Sequence, residues 1–181
     1  AKSGVDNALC SPTLPCETLQ HALTQASPGD EIRVAKGIYT GVGSAVITIT
    51  KDIAIGGGFT TTNWLQPDPN VNSTIIDGEN QRRVVYISSE SKVIISGVHI
   101  QQGLVTDTNG AGIYNPQGNL TLENSWVYSN TTVKVDPIAE PKGGGIASGF
   151  ANADAELMLL DSAFYGNQSY IGAAVSVITG T

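Results

Sequence analysis

A repeated segment constrains this chain more strongly than any other feature of its sequence. Four stretches align without gaps, at residues 52–63, 92–103, 119–130 and 156–167. In each stretch two apolar residues alternate with polar or small ones, the pattern of a short strand that buries one face. A unit repeated in this way predicts a solenoid, in which neighbouring repeats stack and share one core. The apolar pairs are Ile53 and Ile55, Val93 and Ile95, Leu120 and Leu122, and Leu157 and Leu159.

The repeat also predicts a bend two residues after each apolar pair. Gly57, Gly97, Asn124 and Asp161 occupy this position. These residue types tolerate the left-handed backbone that a sharp turn between two strands requires. Beyond the bend we expect an inward side chain in each repeat, at Thr60, Ile100, Val127 and Phe164.

Asparagine recurs three residues after the expected inward side chain. Asn63, Asn130 and Asn167 occupy the position in three repeats, and Gly103 occupies it in the fourth. Stacked asparagine side chains can hydrogen-bond to one another and to the backbone of the turns, which would form a ladder inside the solenoid. The alternative is that asparagine is present because it favours turns. The sequence leaves both interpretations open.

A third strand precedes each segment, at residues 45–49, 84–88, 112–115 and 144–147, and a further one is expected at 173–178. With three strands per repeat, we predict an all-β parallel β-helix of three-stranded coils over residues 31–181. The spacing of the repeats is unequal because insertions fall in loops, chiefly 61–73 and 131–142. Since no capping element follows the last strand, we expect the helix to be open at its C-terminal end. Two interpretations remain open: the natural protein continues beyond Thr181, or another copy of the chain covers the end head to tail.

Residues 1–30 are predicted to form an N-terminal cap. Between Glu17 and Ala26 the apolar residues follow helical spacing, which indicates a short capping helix. Cys10 and Cys16 enclose a short loop that contains proline, and we expect a disulfide that fixes the N-terminus. Two free thiols or half of a metal site are the alternatives. His21 and His99 offer no ligand spacing for zinc, so no metal and no cofactor is expected.

Five stretches of the sequence carry a resemblance to a known family, at residues 18–39, 110–113, 143–146, 164–167 and 172–175. Its beginning resembles pectate-lyase-like right-handed parallel β-helix proteins of bacterial surfaces, which have a capping helix followed by coils. Its glycine-rich strands are similar to the repeat motifs of polymorphic outer-membrane protein passenger domains. The resemblance implies the fold and its handedness, but this architecture serves lyases, hydrolases, adhesins and fibres alike.

Composition excludes some partners. The net charge is −7 with only nine Lys and Arg residues, and a surface of this kind repels the phosphate backbone of nucleic acids. No apolar run approaches the ~18–20 residues that span a bilayer, so we expect no membrane insertion by this segment. Together with the expected disulfide, these features favour a secreted or cell-surface protein.

A search for catalytic groups finds no carboxylates that recur at aligned positions, as acid–base chemistry on adjacent coils would require. The best candidate is the stretch Asp77-Gly78-Glu79 followed by Arg82 and Arg83. Its alternative is a solvated turn with a surface ion pair. We therefore expect a protein that is not an enzyme.

Aromatic residues are the strongest binding candidates. Strand alternation directs Phe59, His99 and Trp126 outward in successive coils, and Tyr128 and Tyr165 take the next outward position. A row of exposed aromatics can stack against sugar rings or bury a partner surface. Alternatively, the long loops fold over the row and form a small satellite core. We expect a structural or adhesive module that self-associates end to end into filaments, or, as the alternative, a polysaccharide-binding or polysaccharide-degrading domain.

Overall fold

A computed structural model describes residues 3–6, 9–149 and 155–177. Within them the chain forms one helix, α1 (Leu19–Gln25), and seventeen strands. None of the described helices is long and apolar enough to cross a membrane. The predicted boundaries at residues 1 and 181, and the last residue of the predicted strand 173–178, lie outside the described residues.

Three five-stranded sheets contain most of the strands, and every strand pair in them is parallel. This confirms the prediction of an all-β parallel fold with one short helix. The first sheet comprises β1 (Glu31–Ala35), β4 (Ile53–Phe59), β7 (Lys92–Ser96), β11 (Asn119–Glu123) and β15 (Leu157–Leu160). The second comprises β2 (Gly37–Tyr39), β5 (Thr74–Asp77), β8 (Val98–Gln101), β12 (Trp126–Tyr128) and β16 (Ala163–Tyr165).

The third sheet completes a regular order in which the chain passes from one sheet to the next. It comprises β3 (Ala45–Ile49), β6 (Arg83–Ile87), β10 (Ile113–Asn115), β14 (Ile146–Ser148) and β17 (Val175–Val177). The chain thus passes through the first, second and third sheets in turn, five times. Two further strands, β9 (Leu104–Thr106) and β13 (Thr131–Val133), pair with each other between the second and third sheets of the third and fourth passes.

The first sheet has the register that the repeat predicts. Ile53, Val93, Leu120 and Leu157 are neighbours across four strands, and the second apolar residue of each pair is aligned in the same way. In β4, β7 and β11 both apolar side chains of each pair are at most 2% exposed. Buried residues from all three sheets, together with Leu19 and Leu23 of α1, form one hydrophobic core.

The second sheet corrects the alignment of the first repeat. Ile100 is the neighbour of Ile76 rather than of Thr60, because β4 runs on to Phe59 and residues 60–73 form an insertion before β5. Asn63 is therefore not part of a ladder. It is exposed, its backbone pairs with Thr60, and its side-chain oxygen accepts hydrogen bonds from the backbone N–H groups of Leu65 and Gln66.

The bend positions differ in conformation. Gly97, Asn124 and Asp161 have the left-handed φ values expected, 63°, 46° and 45°. Gly57 lies inside β4, and the left-handed residue there is Gly58, at 85°. Gly57 is needed for a different reason, since a Cβ atom at this position would lie 2.3 Å from the carbonyl oxygen of Gly97.

The N-terminal segment packs against the first pass. The Cys10–Cys16 disulfide is present, with the two Cα atoms 4.6 Å apart, which confirms that prediction. Thr18 is the N-cap of α1, and its hydroxyl accepts a hydrogen bond from the His21 N–H group. At the other end of α1, the ammonium group of Lys51 donates hydrogen bonds to the carbonyl oxygens of Leu23 and Ala26.

Candidate functional site

The outward face of the second sheet carries the aromatic side chains that the sequence singles out. Each of its strands alternates between this face and the core. The register sets two outward rows: Ile38, Ile75, His99, Trp126 and Ala163 in one, and Asp77, Gln101, Tyr128 and Tyr165 in the other. Four of these residues, His99, Trp126, Tyr128 and Tyr165, form what we call the aromatic strip.

Ring stacking connects the aromatic strip from strand to strand. The His99 and Trp126 rings stack with centroids 4.5 Å apart and planes inclined by 12°. The Tyr128 and Tyr165 rings stack at 4.7 Å and 5°. His99 also meets the edge of Tyr128 at 6.0 Å, which joins the two stacks. Such pairs stabilise the arrangement by about 0.5–1.5 kcal/mol each beyond their buried area, so the rings form a rigid surface.

Phe59 is not part of this surface, contrary to the sequence prediction. It is 4% exposed, lies at the end of β4 in the first sheet, and is the neighbour of Ala35 there. Its ring packs 6.4 Å from that of Trp64 and lies under the Arg33 guanidinium at 5.7 Å. The longer β4 places Phe59 one sheet earlier than the repeat alignment implies.

Exposure varies along the aromatic strip. His99, Trp126 and Tyr128 are half-buried, whereas Tyr165 is 53% exposed. Burial lowers the pKa of His99, which favours the neutral imidazole that stacks on Trp126. The strip is therefore an uncharged surface at neutral pH, open to solvent at its Tyr165 side.

A hydrogen-bonded row of polar groups borders the aromatic strip. The Tyr128 hydroxyl donates to Gln101 Oε1, and Gln101 Nε2 donates to Asp77 Oδ2 at 2.7 Å. Burial raises the pKa of the Tyr128 hydroxyl, and the neighbouring Tyr165 and Asp77 raise it further. The row therefore has the Asp77 side chain at one end and a neutral phenol at the other.

The residues proposed as catalytic candidates form local structural contacts. Besides Gln101, Asp77 binds the backbone N–H of Glu79. Glu79 forms an ion pair with Arg82 at 3.3 Å, and Arg82 also donates to the carbonyl oxygen of Gly41. Arg83 donates to the carbonyl oxygens of Asn109 and Gly110. These contacts stabilise the turn between β5 and β6 and connect this region to the loops that contain Gly41 and Asn109.

Two of the three predicted ladder asparagines lie together. Asn130 is fully buried, and its side-chain amide donates to Asn167 Oδ1 at 3.0 Å. Its oxygen accepts from the Gly103 N–H group at 2.8 Å, so the glycine of the preceding repeat contributes a backbone group instead. The two asparagines lie in the turns directly after β12 and β16, two of the strands that carry the aromatic strip.

The sequence reasoning missed a second aromatic pair. Tyr86 and Tyr114 stack at 5.7 Å on the outward face of the third sheet, with the Arg83 guanidinium 5.5 Å and 5.0 Å from their centroids. The sequence contained the signal for this pair, because each tyrosine follows a buried residue in a strand that the sequence analysis recognises.

The position of His21 near the two cysteines was also missed. His21, Cys10 and Cys16 form the one potential metal-binding group found among the described residues. Both cysteine sulfurs are held in the disulfide.

Comparison with protein families, with curated proteins and with solved structures finds no match for this chain.

Proposed function

We propose that each pass through the three sheets is one coil of a right-handed parallel β-helix. The strands of every sheet follow one another in chain order, as stacked coils require. Right-handedness is supported by the family resemblance and by the rule that crossover connections between parallel strands are almost always right-handed. A crystal structure tests this, and a left-handed coil or separate layers would contradict it.

The function we assign to this β-helix is adhesion to glycans outside the cell, without catalysis. The observation that carries this assignment is the aromatic strip, four stacked rings on the outward face of one rigid sheet. Aromatic rings bind the apolar faces of sugars, and a fixed ring array loses little conformational entropy on binding. Gln101 and the Tyr128 hydroxyl supply adjacent groups for sugar hydroxyls. The disulfide supports a secreted or cell-surface location.

The experiment is a binding screen of the purified chain against immobilised neutral and acidic polysaccharides. We expect retention on at least one neutral polysaccharide and at least a tenfold loss of affinity in Trp126→Ala. Tyr86→Ala is the matched control, because it removes an outward aromatic from the third sheet rather than the second. Circular dichroism of each variant establishes that it folds.

Three results would contradict the assignment. The first is a wild-type chain that binds no polysaccharide in the screen. The second is equal loss of affinity in the Trp126 and Tyr86 variants. The third is release of reducing ends or unsaturated sugars during incubation, which would make the chain a polysaccharide-degrading enzyme. Recovery of the protein from the cytosol rather than the cell surface or medium would contradict the location.

Self-association is a second candidate function, favoured by the edge strands β15, β16 and β17. Leu159 is 37% exposed, whereas its neighbour Leu122 in the preceding strand is fully buried. These three strands contain no charged residue and no proline, the features that keep sheet edges from pairing. A second copy of the chain fits this edge. Because α1 covers the opposite end of the core, pairing edge to edge gives a closed dimer rather than the filament expected from the sequence.

Light scattering across a range of concentrations tests the dimer. We expect a dimer that Leu159→Lys converts to a monomer, whereas Met158→Lys, on the outward side of the same strand, leaves it intact. A monomer at all concentrations, or an open-ended series of larger species, would contradict edge-to-edge pairing.

A further inference from the structure

The stack of His99 and Trp126 ends at Ala163, and we propose that a neutral pyranose ring continues it. In this arrangement the sugar occupies the space above the Ala163 methyl group and packs on the indole face of Trp126 that points away from His99. This inference rests on the proposed glycan binding and names the subsite and the class of sugar.

The register leaves one face of Trp126 without a stacking partner. Trp126 has His99 as its neighbour on β8 and Ala163 as its neighbour on β16. His99 covers one face of the indole, with the rings 4.5 Å apart. A methyl group is too small to cover the other face, and Ala163 itself remains exposed. The second face of the indole is therefore reachable along the surface of the sheet.

The adjacent outward row shows what a filled position looks like. There Tyr165 stands on β16 beside Tyr128 on β12, and the two rings are in full contact at 4.7 Å. Ala163 and Tyr165 are two residues apart on the same strand and the same face. The open position thus has Trp126 as its side wall, Ala163 as its floor and Tyr165 as its end wall.

The dimensions of the open position fit a sugar ring. Neighbouring strands lie ~4.8 Å apart, so a group stacked on Trp126 over β16 has about the thickness of one ring available. A pyranose with mainly equatorial hydroxyls presents a flat face of C–H groups that packs against indole, while its hydroxyls point toward water and toward Tyr165.

Charge selects a neutral sugar. The chain has a net charge of −7, and Asp77 lies in the polar row that borders the aromatic strip. Both repel a uronic acid. The basic groups nearest in sequence to that row are engaged elsewhere, Arg82 with Glu79 and Arg83 with the loop at Asn109. The acidic polysaccharides implied by the lyase resemblance are therefore disfavoured.

Filling the position tests the inference directly. Ala163→Phe places a ring where the sugar is proposed to lie, so it should stack on Trp126 and leave the melting temperature unchanged or higher. We expect affinity for the best neutral oligosaccharide from the screen to fall at least tenfold in this variant. Ala163→Ser is the matched control and should bind within about twofold of wild type. Titration calorimetry measures affinity, and thermal unfolding reports the fold.

The outcomes separate this inference from the proposed function. If Trp126→Ala loses binding while a folded Ala163→Phe retains it, glycan binding stands and the subsite is wrong. If an acidic oligosaccharide binds better than its neutral counterpart, the choice of sugar class is wrong. If the wild-type chain binds no glycan and instead retains peptides, the proposed function itself is wrong. Destabilisation of Ala163→Phe together with loss of binding would also overturn the subsite, because the position would then not be open.

Discussion

The two faces of the second sheet follow the same register but differ in what they require of their side chains. On the inward face Tyr39, Ile76, Ile100 and Val127 are at most 1% exposed, and Phe164 packs partly buried beside them. In the outward row that begins at Ile38, the side chains change from aliphatic to aromatic along successive strands, and the row ends at an alanine. The inward side chains stabilise the fold through their volume and burial. The outward side chains form a surface whose shape depends on which rings are neighbours. Stability should therefore follow the inward face and binding the outward face.

The largest effect should come from a matched pair on β5. Ile76 is fully buried, and Ile75 next to it is half-buried on the outward face. Ile76→Ala should lower the free energy of unfolding by about 2–5 kcal/mol, because it leaves a cavity in a closely packed core. Ile75→Ala should lower it by about 1 kcal/mol or less. Urea unfolding followed by circular dichroism measures both.

Equal losses in the two β5 variants would break the distinction between the faces. A larger loss from Ile75→Ala would reverse it, because the outward row would then be the one that holds the sheet together.

A smaller effect is expected at the asparagine pair, where a polar group is buried. Asn130→Ala leaves the Gly103 N–H group without its partner inside the protein, at a cost of about 1–3 kcal/mol. Asn167 is half-buried, so water can replace part of what Asn167→Ala removes. We expect the Asn167 variant to unfold at a higher urea concentration than the Asn130 variant. The reverse order would show that the outer asparagine closes the turn.

The smallest effect should be a dependence of stability on pH from His99. Burial lowers its pKa in the folded chain, so below the ordinary value near 6.5 the unfolded chain binds the proton more readily. The contribution is absent above that pH, and stability falls as the pH drops below it. Comparing unfolding free energies at about pH 7.5 and 5.5, we expect a smaller decrease in His99→Gln than in wild type. An identical decrease in both proteins would mean that His99 is as solvated as a free histidine.

The sequence predicted the regular passes well and the first passes poorly, for a physical reason. In β7, β11 and β15 the apolar alternation, the bend residue and the next strand follow without interruption, so alignment gives the register. After β4 the insertion at residues 60–73 begins with a threonine-rich turn that imitates the expected strand. Asn63 and Phe59 were misplaced because a local pattern does not reveal that a strand has continued.

Gly57 and the aromatic pairs show a second limit of sequence reasoning. A position can require glycine because its φ angle is left-handed, as at Gly97, or because a neighbouring carbonyl oxygen leaves no room for a Cβ atom, as at Gly57. Only the packing of adjacent strands shows which of the two reasons applies. The contact between His99 and Trp126 could be predicted from the sequence, because both residues lie in aligned repeats. The opening beside Trp126 could not be predicted, because it depends on the small size of Ala163 on the next strand.

The most direct test of glycan binding by the aromatic strip is the nuclear magnetic resonance spectrum of the ¹⁵N-labelled chain. The protein has two tryptophans, so its two indole N–H signals report separately on Trp126 in the strip and Trp64 outside it. During titration with a neutral oligosaccharide, we predict a shift of the Trp126 signal that saturates, with the Trp64 signal unchanged. A saturating shift of Trp64 alone, or no shift of Trp126 despite binding, would contradict it.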